Sequence, residues 1–230
     1  MRIIATSLLL LLGSLQAKDY YYFVPPPGWE LADSSTNTSL TKASFISKAH
    51  PGCAISLSME PADGSLKDYI AAVKALFAHD PNARWRDVGP YKTTTGEGKL
   101  VEIEMKSTGG EQRLLQLITL QNNVAYIVTT TAPKGNFALL APTFKKVLQS
   151  FACTSDPLIA LNDPQKKTLI ENAIHAFQTN AKEVESPEIA LQKVVVEQFS
   201  EMGALWQMAV LQMAQDTRGS CKTLVQGEKQ

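Results

Sequence analysis

The most suggestive chemical pair in the sequence is Glu102 and Glu104, which lie two residues apart on a predicted strand. Side chains at this spacing share one face of a sheet, here opposite Val101, Ile103 and Met105. Paired carboxylates carry out acid–base catalysis when their surroundings separate their pKa values. An alternation of charged and apolar residues is more often the wetted face of a half-buried strand, and we favour that interpretation.

Other catalytic patterns are missing from the sequence. Serines are numerous, but none lies in a G-x-S-x-G nucleophile elbow, and Asp63-Gly64-Ser65 has the composition of a turn followed by a helix cap. The three histidines, His50, His79 and His175, are not spaced as metal ligands. We therefore expect no catalytic residue, no metal and no cofactor, and a protein that is not an enzyme. The alternative is a small-molecule- or metal-binding enzyme whose pocket is assembled from distant residues.

The three cysteines, Cys53, Cys153 and Cys221, allow one disulfide and one remaining thiol. Cys53 begins a predicted strand, and Cys153 follows a predicted helix that should pack on the same sheet. We expect a Cys53–Cys153 disulfide, with the two pairings that use Cys221 as the alternatives.

The first 17 residues are typical of a signal peptide. Met1 and Arg2 give a charged start, an apolar run of Ile3–Leu12 follows, and the segment ends on the small residue Ala17. A membrane-spanning helix needs about 20 apolar residues, and this run is half that length. We expect export to the periplasm or the extracellular space, a mature chain that starts near Lys18, and no stable transmembrane segment after signal removal.

The charge balance argues against nucleic acid as a partner. The chain has 22 Lys and Arg residues against 22 Asp and Glu residues, so there is no net positive field to attract phosphates.

Residues 18–153 have the alternating signals of an α+β domain. A helix begins near Ser65, with Asp68 placed as its capping partner, and its apolar stripe recurs at intervals of three and four residues. Four strand-like runs with short connections follow, which is typical of an antiparallel meander. A second helix over about 137–151 closes the unit. The sequence predicts an antiparallel sheet covered by helices; the strand runs are Trp85–Tyr91, Lys99–Met105, Arg113–Leu120 and Val124–Thr131.

Several of these stretches resemble the PsbP/Mog1-like superfamily. They are Pro26–Trp29, Ile55–Glu60 followed by Ser65–Tyr69, Ala125–Lys134, Phe137, Phe144 and Ser150-Phe151. The resemblance covers about residues 20–153. It implies an α-β-α sandwich and a non-enzymatic accessory or binding module, and it supplies no functional residues because no catalytic motif of the family is matched.

An aromatic cluster near the start of the mature chain has two interpretations. Tyr20, Tyr21, Tyr22, Phe23 and Trp29 would serve either as a partner-binding patch or as a strand that seals the core. We slightly favour the second.

Residues 154–230 form a predicted helical tail, arranged as a hairpin. One helix starts at Asp163-Pro164, and another starts at Ser186-Pro187 and runs to about Gln215. The second helix is apolar on most sides, so it either packs within the chain or binds a partner. We expect an exported accessory or binding module that associates with another envelope protein or with itself through residues of this helix: Phe199, Met202, Leu205, Trp206, Met208, Val210 and Met213.

Overall fold

The structure is a computed structural model, and it describes residues 20–33, 40–94, 96–107, 109–154 and 164–180, with positions 207, 208, 210, 212 and 213 from the tail. We call these last five positions the tail segment. The predicted signal peptide, Cys221 and four of the predicted partner-binding residues lie outside the described residues. Those four are Phe199, Met202, Leu205 and Trp206.

Nine strands and three helices make up the described ranges. The strands are β1 (Tyr20–Tyr22), β2 (Trp29–Leu31), β3 (Thr41–Ser47), β4 (Ala54–Pro61), β5 (Ala83–Lys92), β6 (Glu97–Ser107), β7 (Gly110–Gln121), β8 (Val124–Pro133) and β9 (Ala152–Thr154). The helices are α1 (Leu66–Ala78), α2 (Lys134–Gln149) and α3 (Pro164–Asn180). None of the helices within the described ranges is long and apolar enough to cross a membrane.

The main sheet has seven strands in the order β2-β3-β4-β8-β7-β6-β5, and every neighbouring pair is antiparallel. The predicted meander of four strands, β5 to β8, is confirmed. A two-residue connection joins β7 to β8 through Asn122 and Asn123, whose φ angles are 50° and 60°. Two consecutive residues with positive φ are typical of the two-residue hairpin turn whose twist matches the strands, and asparagine tolerates that conformation.

Helix α1 begins with the predicted capping box. The Ser65 side chain accepts a hydrogen bond from the Asp68 backbone N–H, and the Asp68 carboxylate accepts one from the Ser65 backbone N–H. Ile70 is buried against Val101 and Ile118 of the sheet, with Trp85 packed beside them. This small cluster fixes α1 on one face of the sheet, over β5 and β7.

Helix α2 covers the opposite face, over β7 and β8. Its buried residues recur at helical spacing and enter the main core with residues from seven of the nine strands. They are Phe137, Leu140, Phe144, Val147 and Leu148. The predicted arrangement of helices on both faces of an antiparallel sheet, an α-β-α sandwich, is confirmed.

A second sheet, formed by β1 and β9, lies at the margin of the main core. Tyr21 lies opposite Cys153 in this sheet, and its ring stacks on Tyr126 of β8 with ring centroids 3.6 Å apart. Tyr21, Phe23 and Trp29 are all buried in the main core. For these three residues, the interpretation of the aromatic cluster as a strand that seals the core is confirmed.

Candidate functional site

Glu102 and Glu104 share a face of β6, as predicted, but that face is not simply exposed to solvent. Glu102 is only 7% exposed. Arg86 donates a hydrogen bond to it from β5, and the Arg113 guanidinium lies 3.9 Å from its second oxygen. Arg113 also donates to Glu104 through Nε at 2.7 Å. The solvent-facing interpretation is therefore wrong for Glu102, because arginines from both neighbouring strands cover its carboxylate.

The ion pairs on this face shift the pKa values of Glu104 and Glu111. The hydrogen bond from Arg113 lowers the pKa of Glu104, and in return Glu104 raises the pKa of Arg113. Along the same face, Lys134 donates to Glu111 at 2.6 Å and lowers the pKa of that carboxyl. A general acid at neutral pH needs a raised pKa, so this ion-pair network is arranged to hold charge and not to transfer protons.

The structure does not join Cys53 to Cys153, and geometry explains why. Cys53 lies near the start of α2, because a Cβ on its neighbour Gly52 would be 3.2 Å from Pro133. Cys153 follows the far end of that helix. The 16 residues of α2 span about 24 Å at 1.5 Å per residue. A disulfide needs Cα atoms within about 7 Å, so the predicted pairing is wrong in this structure. Burial also raises the pKa of the Cys53 thiol, which disfavours the reactive thiolate.

The histidines have local structural roles in the described region. The backbone N–H of His50 donates to the Ser47 hydroxyl at 3.1 Å, and His79 is the C-terminal cap of α1. His175 lies on α3. Within the described ranges, no group of three or more His, Cys, Asp or Glu side chains is placed to hold a metal ion.

The tail segment is packed inside the chain. Met208 is fully buried in the main core cluster, and Val210 is 1% exposed. On a helix these two residues point in nearly opposite directions, so the segment is covered on two sides. Met208 and Val210 are therefore unavailable to a partner in this structure, which contradicts their predicted role. Met213 is half-buried, and its role in partner binding remains a prediction.

The same segment closes the outer edge of β1. The Tyr21 backbone N–H donates to Gln212 Oε1 at 3.0 Å, and Gln212 Nε2 donates to the Tyr21 carbonyl oxygen. A side-chain amide has the same donor and acceptor as a peptide group, so Gln212 takes the place that a further strand would occupy. We call this pair of hydrogen bonds the Gln212 clasp.

A cleft of about 580 Å³ opens between α1 and strands β5 and β6. Leu66, Ile70 and Pro90 form its apolar wall, and Asp87 and Lys99 are among its charged residues. A bulge in β5 helps to shape it. Asp87 lies opposite Val101 and Pro90 lies opposite Lys99, and these two residues of β6 are on the α1 face of the sheet. The bulge adds one residue to β5, so Asp87 and Pro90 lie on that same face although they are three residues apart.

The Asp87 carboxylate joins two lysines at this cleft. Lys74 Nζ of α1 lies 3.0 Å from Asp87 Oδ2, and Lys99 Nζ of β6 lies 3.6 Å from Asp87 Oδ1. The hydrogen bond from Lys74 is the main cause of the lowered pKa of Asp87. The carboxylate therefore stays ionised at neutral pH. The Lys74–Asp87–Lys99 triad, as we call these three residues, has a net charge of one positive unit.

No protein-family model matches the chain, and no curated protein sequence matches it. Similar solved structures include cyanobacterial PsbP from Synechocystis sp. PCC 6803, which is 13% identical over 59% of this chain and 91% of that chain, with a TM-score of 0.44. LpqN of Mycobacterium tuberculosis, involved in cell envelope biogenesis, is 9% identical over 62% and 87%, with a TM-score of 0.47. The Ran-binding protein Mog1p of Saccharomyces cerevisiae is 10% identical over 59% and 94%, with a TM-score of 0.40.

Structures of PsbP and Mog1 are thus among those similar to this chain, and the α+β class predicted from the sequence is that of the described sheet domain. At these identities and TM-scores the likeness concerns the fold and carries no argument about function.

Sequence reasoning missed the cleft because its lining comes from three elements. Leu66 and Ile70 are visible as part of the apolar stripe of α1, but nothing in the sequence places Asp87 and Lys99 beside them. The one available signal was Gly89-Pro90 within a strand-like run, since glycine and proline inside a strand often mark a bulge.

Proposed function

We propose that this chain is an exported, non-catalytic binding module and that the cleft beside α1 is its binding site. The observation that carries the proposal is the composition of the cleft, an apolar wall of Leu66, Ile70 and Pro90 next to the charged Asp87 and Lys99. Small-molecule sites are usually concave and largely apolar, with a few placed polar groups and volumes of about 300–1,000 Å³. The volume and lining of this cleft fall within that description.

The ion pairs described above favour binding over catalysis. Asp87 is held by Lys74 and Lys99, and Glu104 is held by Arg113. Both carboxyls have lowered pKa values, which keep them ionised and make them poor proton donors near neutral pH. Groups fixed in this way suit electrostatic recognition of a ligand.

The same proposal includes association with another envelope protein or with a second copy of the chain. Of the described tail positions that were predicted to bind a partner, only Met213 retains appreciable exposure. The Gln212 clasp and Met208 fasten the segment to the sheet domain. A helix held in this way presents any remaining surface in a fixed orientation, which lowers the entropy lost on binding.

The cleft is tested by filling it. Leu66→Trp places a large ring at the half-buried wall of the cleft, whereas Leu76→Trp adds the same ring on the same helix at a position that is 74% exposed. We expect the neutral dye Nile red to bind the full mature chain, with affinity reduced at least about tenfold by Leu66→Trp and unchanged by Leu76→Trp.

Equal effects of the two tryptophans on dye binding, with unchanged circular dichroism, would remove the cleft as the site.

The exported state has its own test, since intact-mass measurement of protein from the native host should give a chain that starts near Lys18. A retained Met1–Ala17 segment would contradict export.

A further inference from the structure

We infer that the cleft beside α1 takes an amphipathic ligand with a single negative charge. Its apolar part would lie on Leu66, Ile70 and Pro90, and its anionic head would be held at Lys99. The inference rests on the proposed function, because it names the chemical class of ligand for the same cleft.

The first argument is the charge of the Lys74–Asp87–Lys99 triad. Two ammonium groups share one carboxylate, so one positive charge is left without a counter-charge in the triad. Lys74 is at hydrogen-bond distance from Asp87, whereas Lys99 is 3.6 Å away and makes only an ion pair. Lys99 is also the less exposed lysine, at 30% against 53%. The Lys99 ammonium group is thus the one whose hydrogen-bond donors are available to a ligand beside the apolar wall.

The second argument is a surplus of hydrogen-bond donors on this side of the sheet. Trp85 precedes Asp87 by two residues on β5, so both side chains lie on the α1 face. The Trp85 indole N–H is buried, and it interacts with the Asp87 carboxylate without reaching the geometry of a full hydrogen bond. Three donor groups therefore share one carboxylate, and an anionic head would add acceptors where the protein offers mainly donors.

The remaining charges at the cleft do not reverse this balance. Lys67 and Glu97 also line it and both are exposed. Lys67 acts on the adjacent Asp68 carboxylate, and neither residue lies within salt-bridge distance of an opposite charge in the described ranges. They carry one charge of each sign and cancel. The N-terminus of α1 is already satisfied by the capping box of Ser65 and Asp68, so it adds no anion site of its own. The net charge of the cleft and its triad remains one positive unit.

Three probes with the same ten-carbon chain separate the head groups, namely decanoate, decanol and decylamine. We expect calorimetric titration of the mature chain to show decanoate binding about tenfold more tightly than decanol, and decylamine more weakly than either. Lys99→Met keeps the apolar stem and removes the ammonium group. It should erase the advantage of decanoate over decanol. Lys145→Met, at an exposed position on α2, is the matched control and should change neither affinity.

The outcomes separate this inference from the proposed function. Equal affinity for decanoate and decanol, or an advantage that survives Lys99→Met, overturns the anionic ligand while leaving the cleft intact if Leu66→Trp still blocks Nile red. Tighter binding of decylamine would show that Asp87 and Glu97 select a cation instead. Absence of binding by all three probes and by Nile red would overturn both.

Discussion

The two faces of the seven-stranded sheet are covered to different degrees. On the α2 face, large side chains such as Phe45 and Phe144 are fully buried, and Met208 of the tail segment fills the same core. On the α1 face, the helix lies over one side of the sheet, and Ser56, Thr129 and other residues of β4 and β8 stay half-exposed.

This difference separates two tasks that one sheet performs. Close packing on the α2 face supplies most of the apolar burial that stabilises the domain, because the free energy gained scales with the apolar area removed from water. Looser coverage on the α1 face leaves room for the cleft and for the charged triad. The lesson is that the side that contributes least to stability is the side with space for a ligand.

The largest difference between the two faces is expected when one phenylalanine on each is truncated and the free energies of unfolding are compared. Phe144→Ala should lower the free energy of unfolding by about 3–5 kcal/mol, because Phe144 is fully buried in the main core. Phe77→Ala, on α1 and only half-buried against Trp85, should cost less than half as much. Urea unfolding followed by circular dichroism gives both values. If Phe144→Ala prevents folding, Phe144→Leu supplies a smaller change, and similar costs for the two faces would contradict the asymmetry.

The contribution of the tail to the α2 face is tested by Met208. Met208→Ala should cost at least about 2 kcal/mol, since it leaves a cavity in the core. Met213→Ala is the control, and the half-buried side chain at that position predicts a smaller loss. A tail that merely touches the domain would make both substitutions equally mild in the same unfolding experiment.

The Gln212 clasp predicts an intermediate loss of stability when the side-chain NH2 group is replaced by an oxygen. Gln212→Glu keeps the shape of the side chain and still accepts from the Tyr21 N–H, but it cannot donate to the Tyr21 carbonyl. We expect a loss of about 1–2 kcal/mol at neutral pH, because the carbonyl loses its donor and faces a carboxylate instead. Faster amide hydrogen exchange at Tyr21 in Gln212→Ala than in wild type is the local measurement. Unchanged exchange would show that the clasp does not protect this edge.

The smallest effect concerns the ion-pair network on β6. The pKa of Glu104 is lowered in the folded state, so its contribution to stability is present above the pKa of the unfolded chain, about 4.3, and is lost as pH falls through the folded value. Glu104→Gln should therefore make stability less dependent on pH in the acidic range. Comparison of midpoints at pH 7 and pH 3 tests this, with Glu30→Gln, on the short strand β2, as a control.

Local signals predicted much of the fold. The capping box at Ser65, the stripe of α1 and the four-strand meander depend on residues close together in the sequence, and all three are present. The pairing of β1 with β9 was not predicted. Each strand has only three residues, which is too short for a recognisable period, and the two are brought together only by the completed core.

The candidate site was less predictable because alternation along a strand identifies a face but not what covers it. Glu102 was correctly assigned to the same face as Glu104, yet its burial depends on Arg86 and Arg113 from neighbouring strands. The proposed disulfide failed for a related reason, since Cys53 and Cys153 contact the same core at opposite ends of α2. Two residues that pack into the same core can still be too far apart to form a bond.

The Gln212 clasp also has a consequence for the order in which the chain acquires its structure. Tyr21 and Gln212 are separated by 191 residues. A chain that emerges from the ribosome with its N-terminus first exposes β1 long before the residue that closes its edge. Contacts of such long sequence separation slow folding, because the loop-closure entropy is lost before any contact compensates for it. We therefore expect the last step of folding to be the arrival of the tail segment, with the strand edge of β1 and the core position of Met208 open to other chains until then.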